Sequence, residues 1–332
     1  MQRRLVLTTL ALAIACASGM GAGSARAGGP QAKAPTHLAA RDLSGTWDIG
    51  NYTELERPKG IANLVMTPAE AEAFEAPRRA LHGMAPARPG SVGQGENEWL
   101  DRGEGLTRIR GQARSSTVVD PPDGHLPYNA HGLVYANGPG STIVAPGGLD
   151  NPEEVGGNAR CVTSPDTGPP MLATPDANLV QLMQTRTELV IWTEKFHDVR
   201  IVRLFADAKA AAAAPRDPPS WLGSSVGWWE GDSLAIRTEG FHEGVIVKGQ
   251  RIVVSGATRV TERLTRISPI EIFYEFTVED PVLLSRPWRG ESIIHPARGP
   301  IFEFACHEGN YAMAGMLAGA RREERKAASV AK

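Results

Sequence analysis

The sequence predicts a mainly β protein, an antiparallel up-and-down barrel of the lipocalin-like kind. Three observations support this fold class. Short runs of strand-forming residues follow one another after position 178, tight turns such as Glu230-Gly231-Asp232 join them, and 36 Gly with 25 Pro favour turns over long helices. Consecutive short strands joined by tight turns form an antiparallel meander. The candidate strands are Asn178–Thr185, Glu188–Glu194, Asp198–Phe205, Gly227–Glu230, Ser233–Thr238, Thr258–Ile267, Glu271–Glu279 and Pro287–His295. Eight strands suffice to close a barrel around one small ligand.

The N-terminal segment has the features of a secretory signal peptide. Arg3 and Arg4 precede an apolar run that ends near Ala15, and small residues up to Ala27 offer a cleavage site. We therefore expect cleavage near Ala27, a periplasmic or secreted protein, and no integral membrane segment after cleavage, because the apolar run is too short to span a bilayer. The Arg pair leaves twin-arginine export open. A lipoprotein at Cys16 is the less favoured alternative, since Ala13 stands where a large aliphatic residue is usual.

The remaining chain is predicted to hold a flexible segment, 28–42, and one domain, 43–326. Within the domain we expect a loop-rich wrap at 43–177, the strand meander at 178–295 and a C-terminal helix within 296–326. A Gly-x-Trp at Gly45–Trp47 lies on a first strand, as in many lipocalin-type barrels. A helix is predicted over 67–80, with Thr67 as its cap and Glu70 completing a capping box, and Pro77 is expected to end it.

Composition and motifs exclude several function classes. The formal charge of −2 gives no general attraction to nucleic acid or to anionic membranes. A G-x-G-x-x-G motif and a phosphate loop are missing, and the eight histidines lack metal-ligand spacing, so we predict no cofactor; a metal held by distant residues stays open. Residues 223–227 match a nucleophile elbow in letters, but a strand and not a helix is predicted to follow.

Two cysteines remain after cleavage, Cys161 and Cys306. An even pair in an oxidising compartment predicts a disulfide. The alternative is two buried free thiols.

A cluster of four ionisable residues is the first candidate site. Glu194, His197, Asp198 and Arg200 lie within seven residues, between two predicted strands. His197, oriented by Asp198 or Glu194, would move a proton near neutral pH, and Arg200 would hold a carboxylate or an oxyanion. The structural alternative is an Asp198–Arg200 ion pair with His197 capping a turn.

A second candidate site lies just before the C-terminal helix. His307 and Glu308 would form an acid–base pair, at a point where free backbone N–H groups can receive an anion. The structural alternative is a tight turn held by Cys306. Side chains predicted to contact a ligand are Trp192, Trp229, Arg263, Tyr274, Glu275 and Tyr311. Glu262 is a further polar strand residue that could face the interior, although one bulge would reverse the face.

Several motifs together resemble a broad group of secreted bacterial proteins. They are S-T-V-V-D-P-P-D-G, F-H-D-V-R, W-E-G-D-S-L, E-R-L-T-R, Y-E-F-T-V-E-D-P, R-P-W and A-C-H-E-G-N-Y, and the likeness covers roughly 43–326. The resemblance implies an exported protein built as a single unit and implies no particular reaction. The chain departs from the group at Ala210–Ala214, in place of a short Arg-Pro-His sequence, and at Phe241–Glu243, in place of an Asn-Phe-Thr-like segment.

Two functions follow from these features. The first is a cofactor-independent lyase, dehydratase or isomerase that uses general acid–base catalysis on a small apolar or aromatic molecule. The alternative is a non-catalytic barrel that binds such a ligand, with its charges serving structure. A third possibility, an envelope scaffold, would require an exposed apolar patch. The sequence does not indicate an oligomeric state.

Overall fold

Nine β-strands close into a barrel in a computed structural model that describes residues 40–81, 103–137, 151–152, 160–163, 167–174, 176–242 and 252–330. The described residues form these strands, of which β2, β3 and β4 lie outside the closed ring: β1 (Gly45–Asp48), β2 (Arg108–Ile109), β3 (Gln112–Ala113), β4 (Val118–Asp120), β5 (Leu179–Gln184), β6 (Glu188–Thr193), β7 (Val199–Phe205), β8 (Ser224–Glu230), β9 (Ser233–Glu239), β10 (Arg259–Ser268), β11 (Glu271–Glu279) and β12 (Trp288–Pro296). The helices are α1 (Pro68–Leu81), α2 (Ala130–Asn137), α3 (Ala208–Ala212) and α4 (Ala312–Val330). The predicted signal peptide, Cys16 and most of the predicted flexible N-terminus lie outside the described residues.

The barrel runs in the order β1-β5-β6-β7-β8-β9-β10-β11-β12, and pairing of β1 with β12 closes it. The predicted barrel is therefore confirmed, with each candidate strand present and the Gly-x-Trp strand as its ninth member. The purely antiparallel order is not found, because β7 and β8 pair in parallel. Strand direction cannot alternate all the way round a ring with an odd number of strands, so one pair must be parallel. A parallel pair needs a long crossover, which residues 206–223 supply with α3 inside them.

Side chains fill the barrel. Apolar residues from every wall, among them Leu182, Ile236, Leu264 and Trp288, are at most 2% exposed and belong to one cluster. A Cβ at Gly290 would overlap the ring of Phe276, so glycine is needed where that ring lies against β12. The interior is thus a packed core, with one polar network inside it.

The N-terminal wrap attaches to the barrel at β4, which pairs with β12 as a tenth strand. Helix α1 begins with the predicted capping box: the Thr67 Oγ1 accepts from the Glu70 N–H at 3.2 Å, and the Thr67 N–H donates to the Glu70 carboxylate at 2.8 Å. The prediction that Pro77 ends this helix is wrong, since α1 continues to Leu81. Ion pairs from Arg79 to Glu72 and Glu75 help to hold its last turns.

A disulfide joins Cys161 to Cys306, as predicted, and it indicates an oxidising compartment. After it, α4 is exposed over much of its length, and a stripe of Met313, Met316 and Leu317 is half-buried. Within the part of the chain that the structure describes, none of the helices is long and apolar enough to cross a membrane.

Candidate functional site

A break in the backbone separates the members of the first predicted cluster. Residues 195–197 form one 3-10 turn between β6 and β7, in which Phe196 and His197 adopt left-handed backbone angles, with φ of 60° and 51°. Before the turn Ile191 faces the interior, and after it Arg200 does. An unbroken strand would have placed Trp192, not Ile191, on the same face as Arg200, and the turn shifts this alternation by one residue.

Arg200 and Glu262 form an ion pair inside the barrel. The two side chains are 5% and 0% exposed, and a bidentate contact joins them, with Nη2 donating to Oε1 at 3.0 Å and Nη1 donating to Oε2. Burial acts to lower the pKa of Arg200, but the charge and hydrogen bonds of Glu262 outweigh it and raise that pKa. Arg200 therefore pairs with a residue from β10, not with Asp198 as the structural alternative assumed.

Tyr274 extends the polar network to the chain that precedes β5. Its hydroxyl donates to Glu262 Oε1 at 2.8 Å and accepts from the Met171 N–H at 2.9 Å. Burial and then the neighbouring Glu262 charge raise the pKa of Tyr274 well above its usual value. Met171 is itself buried, so the segment 167–174 is fixed against the network from within the barrel.

A cleft lies in the barrel wall at the first residues of β7, beside Arg200. Pairing of β7 with β8 begins at Val202 and Ser225, so the first residues of β7 diverge from the chain that leads into β8. This lateral cleft has a volume of about 430 Å³. Its lining comprises Val162, Thr163, Asp198, Val199, Arg200, Ile201, Asp217, Pro218, Ser220, Trp221, Leu222, Gly223, Ser224 and Ser225.

The lateral cleft combines apolar walls with polar groups at its base. Val199 and Ile201 are 51% and 53% exposed and face outward, since they alternate along β7 with the inward-facing Arg200. Arg200 and Ser225 also belong to the interior network, in which Ser225 Oγ and Thr238 Oγ1 lie 2.8 Å apart. Apolar and polar residues contribute about equally to this lining, and a depression that offers both kinds of side chain is a candidate small-molecule site.

Asp198 lies at the rim of the lateral cleft and is held by two hydroxyl groups. Thr163 Oγ1 and Thr167 Oγ1 donate to its Oδ2 at 2.7 and 2.9 Å. The disulfide at Cys161 anchors the segment that carries Thr163. The rim is therefore assembled from β7 and from a cross-linked loop.

Trp221 forms another part of the cleft wall, and His242 packs against its ring. Trp221 and His242 stack with ring centroids 4.6 Å apart, and the Arg160 guanidinium lies 5.9 Å from the Trp221 ring. Sequence reasoning missed Trp221, His242, Thr163 and Thr167. The one available signal was the position of Trp221 in a Pro-rich loop. This loop belongs to the parallel crossover, and the crossover is what brings Trp221 close to β7.

Glu194 and His197 contact a different part of the chain. Glu194 Oε1 accepts from the Phe302 N–H at 3.0 Å, and His197 Nε2 lies 3.2 Å from the Phe302 carbonyl oxygen. The His197 ring lies 6.0 Å from that of Trp192. Glu194 and His197 therefore hold the segment that leads to Cys306, and none of these three predicted residues is among the lining residues of the lateral cleft.

The other predicted site residues are dispersed. His307 and Glu308 are exposed in the turn after Cys306, and Tyr311 is 83% exposed. Arg263 pairs with Glu230 on the outer wall, where Glu275 lies opposite it in register. Trp229 packs on the core near the β8–β9 turn, with Arg41 lying 5.4 Å from its ring. The segment just before Cys306 contacts the first cluster through Phe302 and Phe304, whereas His307 and Glu308 make no hydrogen bond or ion pair with it among the described residues.

A wider groove of about 850 Å³ lies elsewhere on the surface, between the end of β12 and residues 104–108. Its charges are satisfied locally. Arg298 pairs with Glu104 in solvent, and Arg108 pairs with Glu75. The lateral cleft is the stronger candidate, because it alone of these two reaches the buried network.

No family model matches the chain, and neither the curated proteins nor the solved structures include a significant match.

Proposed function

We propose that the protein binds a small apolar or aromatic molecule in the lateral cleft. The observation that carries this proposal is the exposure of Val199 and Ile201 beside Trp221, above the buried Arg200. A ligand that covered these side chains would remove apolar area from water, and each fully covered aliphatic side chain contributes roughly 1.5–3 kcal/mol. Arg200, Ser225 and Asp198 would orient one polar group of that ligand.

We also propose that the protein is exported by its N-terminal segment, with cleavage near Ala27, and acts in the periplasm or outside the cell. The Cys161–Cys306 disulfide supports an oxidising location. The basic start, the apolar run and the small residues before Gly28 support an export signal that is cleaved near Ala27. A lipoprotein at Cys16 is the alternative.

Acid–base catalysis is the second candidate function, with Asp198 in place of His197 as its base. Asp198 and Arg200 are both lining residues of the cleft, and the Arg200 guanidinium is paired with Glu262 on the inner side of the wall. In a lyase, dehydratase or isomerase Asp198 would take a proton, and Arg200 would stabilise developing negative charge. The Nε2 atom of His197 lies against the Phe302 carbonyl oxygen, and this contact favours a structural role for His197.

The test is to recover the ligand with the protein. Wild type, Ile201→Asp and Ile267→Asp would be purified from the bacterial periplasm, and their organic extracts compared by mass spectrometry. Ile267 is 52% exposed, close to the 53% of Ile201, but lies outside the cleft, and so provides the matched control. We expect a compound that is enriched with wild type and Ile267→Asp and absent from Ile201→Asp. Equal recovery with all three would refute the proposed site.

The recovered compound then separates binding from catalysis. Incubation with wild type and with Asp198→Asn, followed by chromatography, measures turnover. An unchanged compound with both proteins supports the binding function. Conversion by wild type that Asp198→Asn lowers by roughly 100-fold or more supports the enzyme.

A further inference from the structure

A second cavity lies on the outer wall of the barrel, between α3 and the strands β7, β8 and β9. Its volume is about 270 Å³. The lining includes four arginines, Arg203, Arg216, Arg237 and Arg259, but two carboxylates, Asp217 and Glu239. The charged side chains that face this cavity therefore carry an excess of two positive charges.

The strand register explains why two of these arginines face each other across the cavity. Arg203 lies opposite Val226 in the β7–β8 pair, and Val226 lies opposite Arg237 in the β8–β9 pair. The three residues form one row on the outer face, and adjacent strands are about 4.8 Å apart, so the two arginine backbones are separated by roughly 10 Å. Both side chains are long enough to reach a single ligand between them.

The four arginines differ in their partners. Arg203 donates to Asp217 at 3.1 Å, while Arg259 and Arg216 lie 2.5 and 3.6 Å from Glu239. For Arg237, the one contact found among the described residues is a 3.4 Å hydrogen bond from Nη2 to the Ala211 carbonyl oxygen, which also lines the cavity. A half-buried guanidinium held by one neutral acceptor at this distance has most of its donors available.

We propose that this cavity binds a small dianion, between Arg237 and Arg203. The shared chemistry is that of an oxyanion with two negative charges, either a phosphate group or a dicarboxylate. Planar guanidinium groups bind such oxyanions through paired hydrogen bonds, and two negative charges match the excess in the lining. This site is distinct in ligand chemistry from the lateral cleft, although Asp217 and Ser224 line both cavities.

The test is calorimetric titration of the full mature chain with inorganic phosphate and, separately, with succinate, at constant ionic strength set by sodium chloride. We expect saturable binding of at least one dianion by the wild type. Arg237→Gln should weaken that binding roughly tenfold or more, because a hydrogen bond to a charged group is lost. The matched control is Arg286→Gln, a surface arginine paired with Asp120 on another part of the barrel, and it should bind as the wild type does.

A third variant tests the charge argument in the opposite direction. Glu239→Gln removes a negative charge from the lining and should tighten dianion binding, whereas a purely structural role for Glu239 would weaken it. Binding of phosphate but not succinate, or the reverse, identifies the group that the site accepts. The proposal would be overturned if neither dianion bound at millimolar concentration, or if circular dichroism showed Arg237→Gln folded and its affinity equalled that of wild type.

Discussion

The carboxylate of Glu262 on β10 makes a bidentate ion pair with Arg200 on β7, and both side chains are buried. The pair joins strands that are not neighbours, since β8 and β9 lie between them on one side of the ring. A buried pair contributes little net stability when compared with apolar side chains, but loss of one partner leaves an uncompensated charge.

Glu262→Gln should therefore destabilise the fold by about 3–5 kcal/mol, because it leaves the Arg200 charge buried without its carboxylate. Urea unfolding followed by circular dichroism measures this. Glu230→Gln, which breaks an exposed pair with Arg263, is the matched control and should cost less than about 1 kcal/mol. The double variant Arg200→Met with Glu262→Leu should recover most of the loss. A single variant at Glu262 as stable as wild type would show that the pair does not form.

Alkaline pH should destabilise the protein through Tyr274. The folded protein raises the pKa of this phenol well above 10, first through burial and then through Glu262, so the folded state keeps the proton that the unfolded chain releases. This contribution is fully present below pH 10 and is lost as pH rises above 10. Urea midpoints measured from pH 8 to 12 should fall more steeply for wild type than for Tyr274→Phe. Parallel curves would contradict the assignment.

Removal of the disulfide should lower stability and weaken the lateral cleft together. Cys161 and Cys306 are 145 residues apart, and in the chain-entropy account closure of such a loop contributes up to about 5 kcal/mol. The double variant Cys161→Ser with Cys306→Ser should unfold at lower urea than wild type. Ligand binding should also weaken, since Cys161 anchors the segment that carries Val162 and Thr163. If the folded double variant bound the ligand with wild-type affinity, the disulfide would not be needed to hold the cleft in its binding form.

The sequence predicted the barrel because alternation and turn chemistry are local signals. The eight strand segments after position 178, the capping box at Thr67 and the cysteine pair could all be read in this way. The parallel β7–β8 pair could not, because an alanine-rich crossover resembles a surface insertion until the strand count around the ring is known.

The candidate site was less predictable than the fold. Two left-handed residues, Phe196 and His197, shift the alternation of faces between β6 and β7 by one residue, so parity along the sequence does not give the face of Arg200. The partner of Arg200 lies 62 residues away on a strand with several charged side chains. Asp198 and Arg200 do share a cleft, as their proximity in sequence suggested, but Trp221 and Thr163 reach it only through the tertiary fold.

Fluorescence titration with N-phenyl-1-naphthylamine, a neutral aromatic probe, tests most directly whether the lateral cleft binds apolar ligands. The account predicts saturable enhancement with wild type, about tenfold or more weaker binding by Ile201→Asp, where a carboxylate would be placed against the probe, and unchanged binding by Ile267→Asp. Equal titration curves for wild type and Ile201→Asp, or equal losses in the two variants, would contradict it.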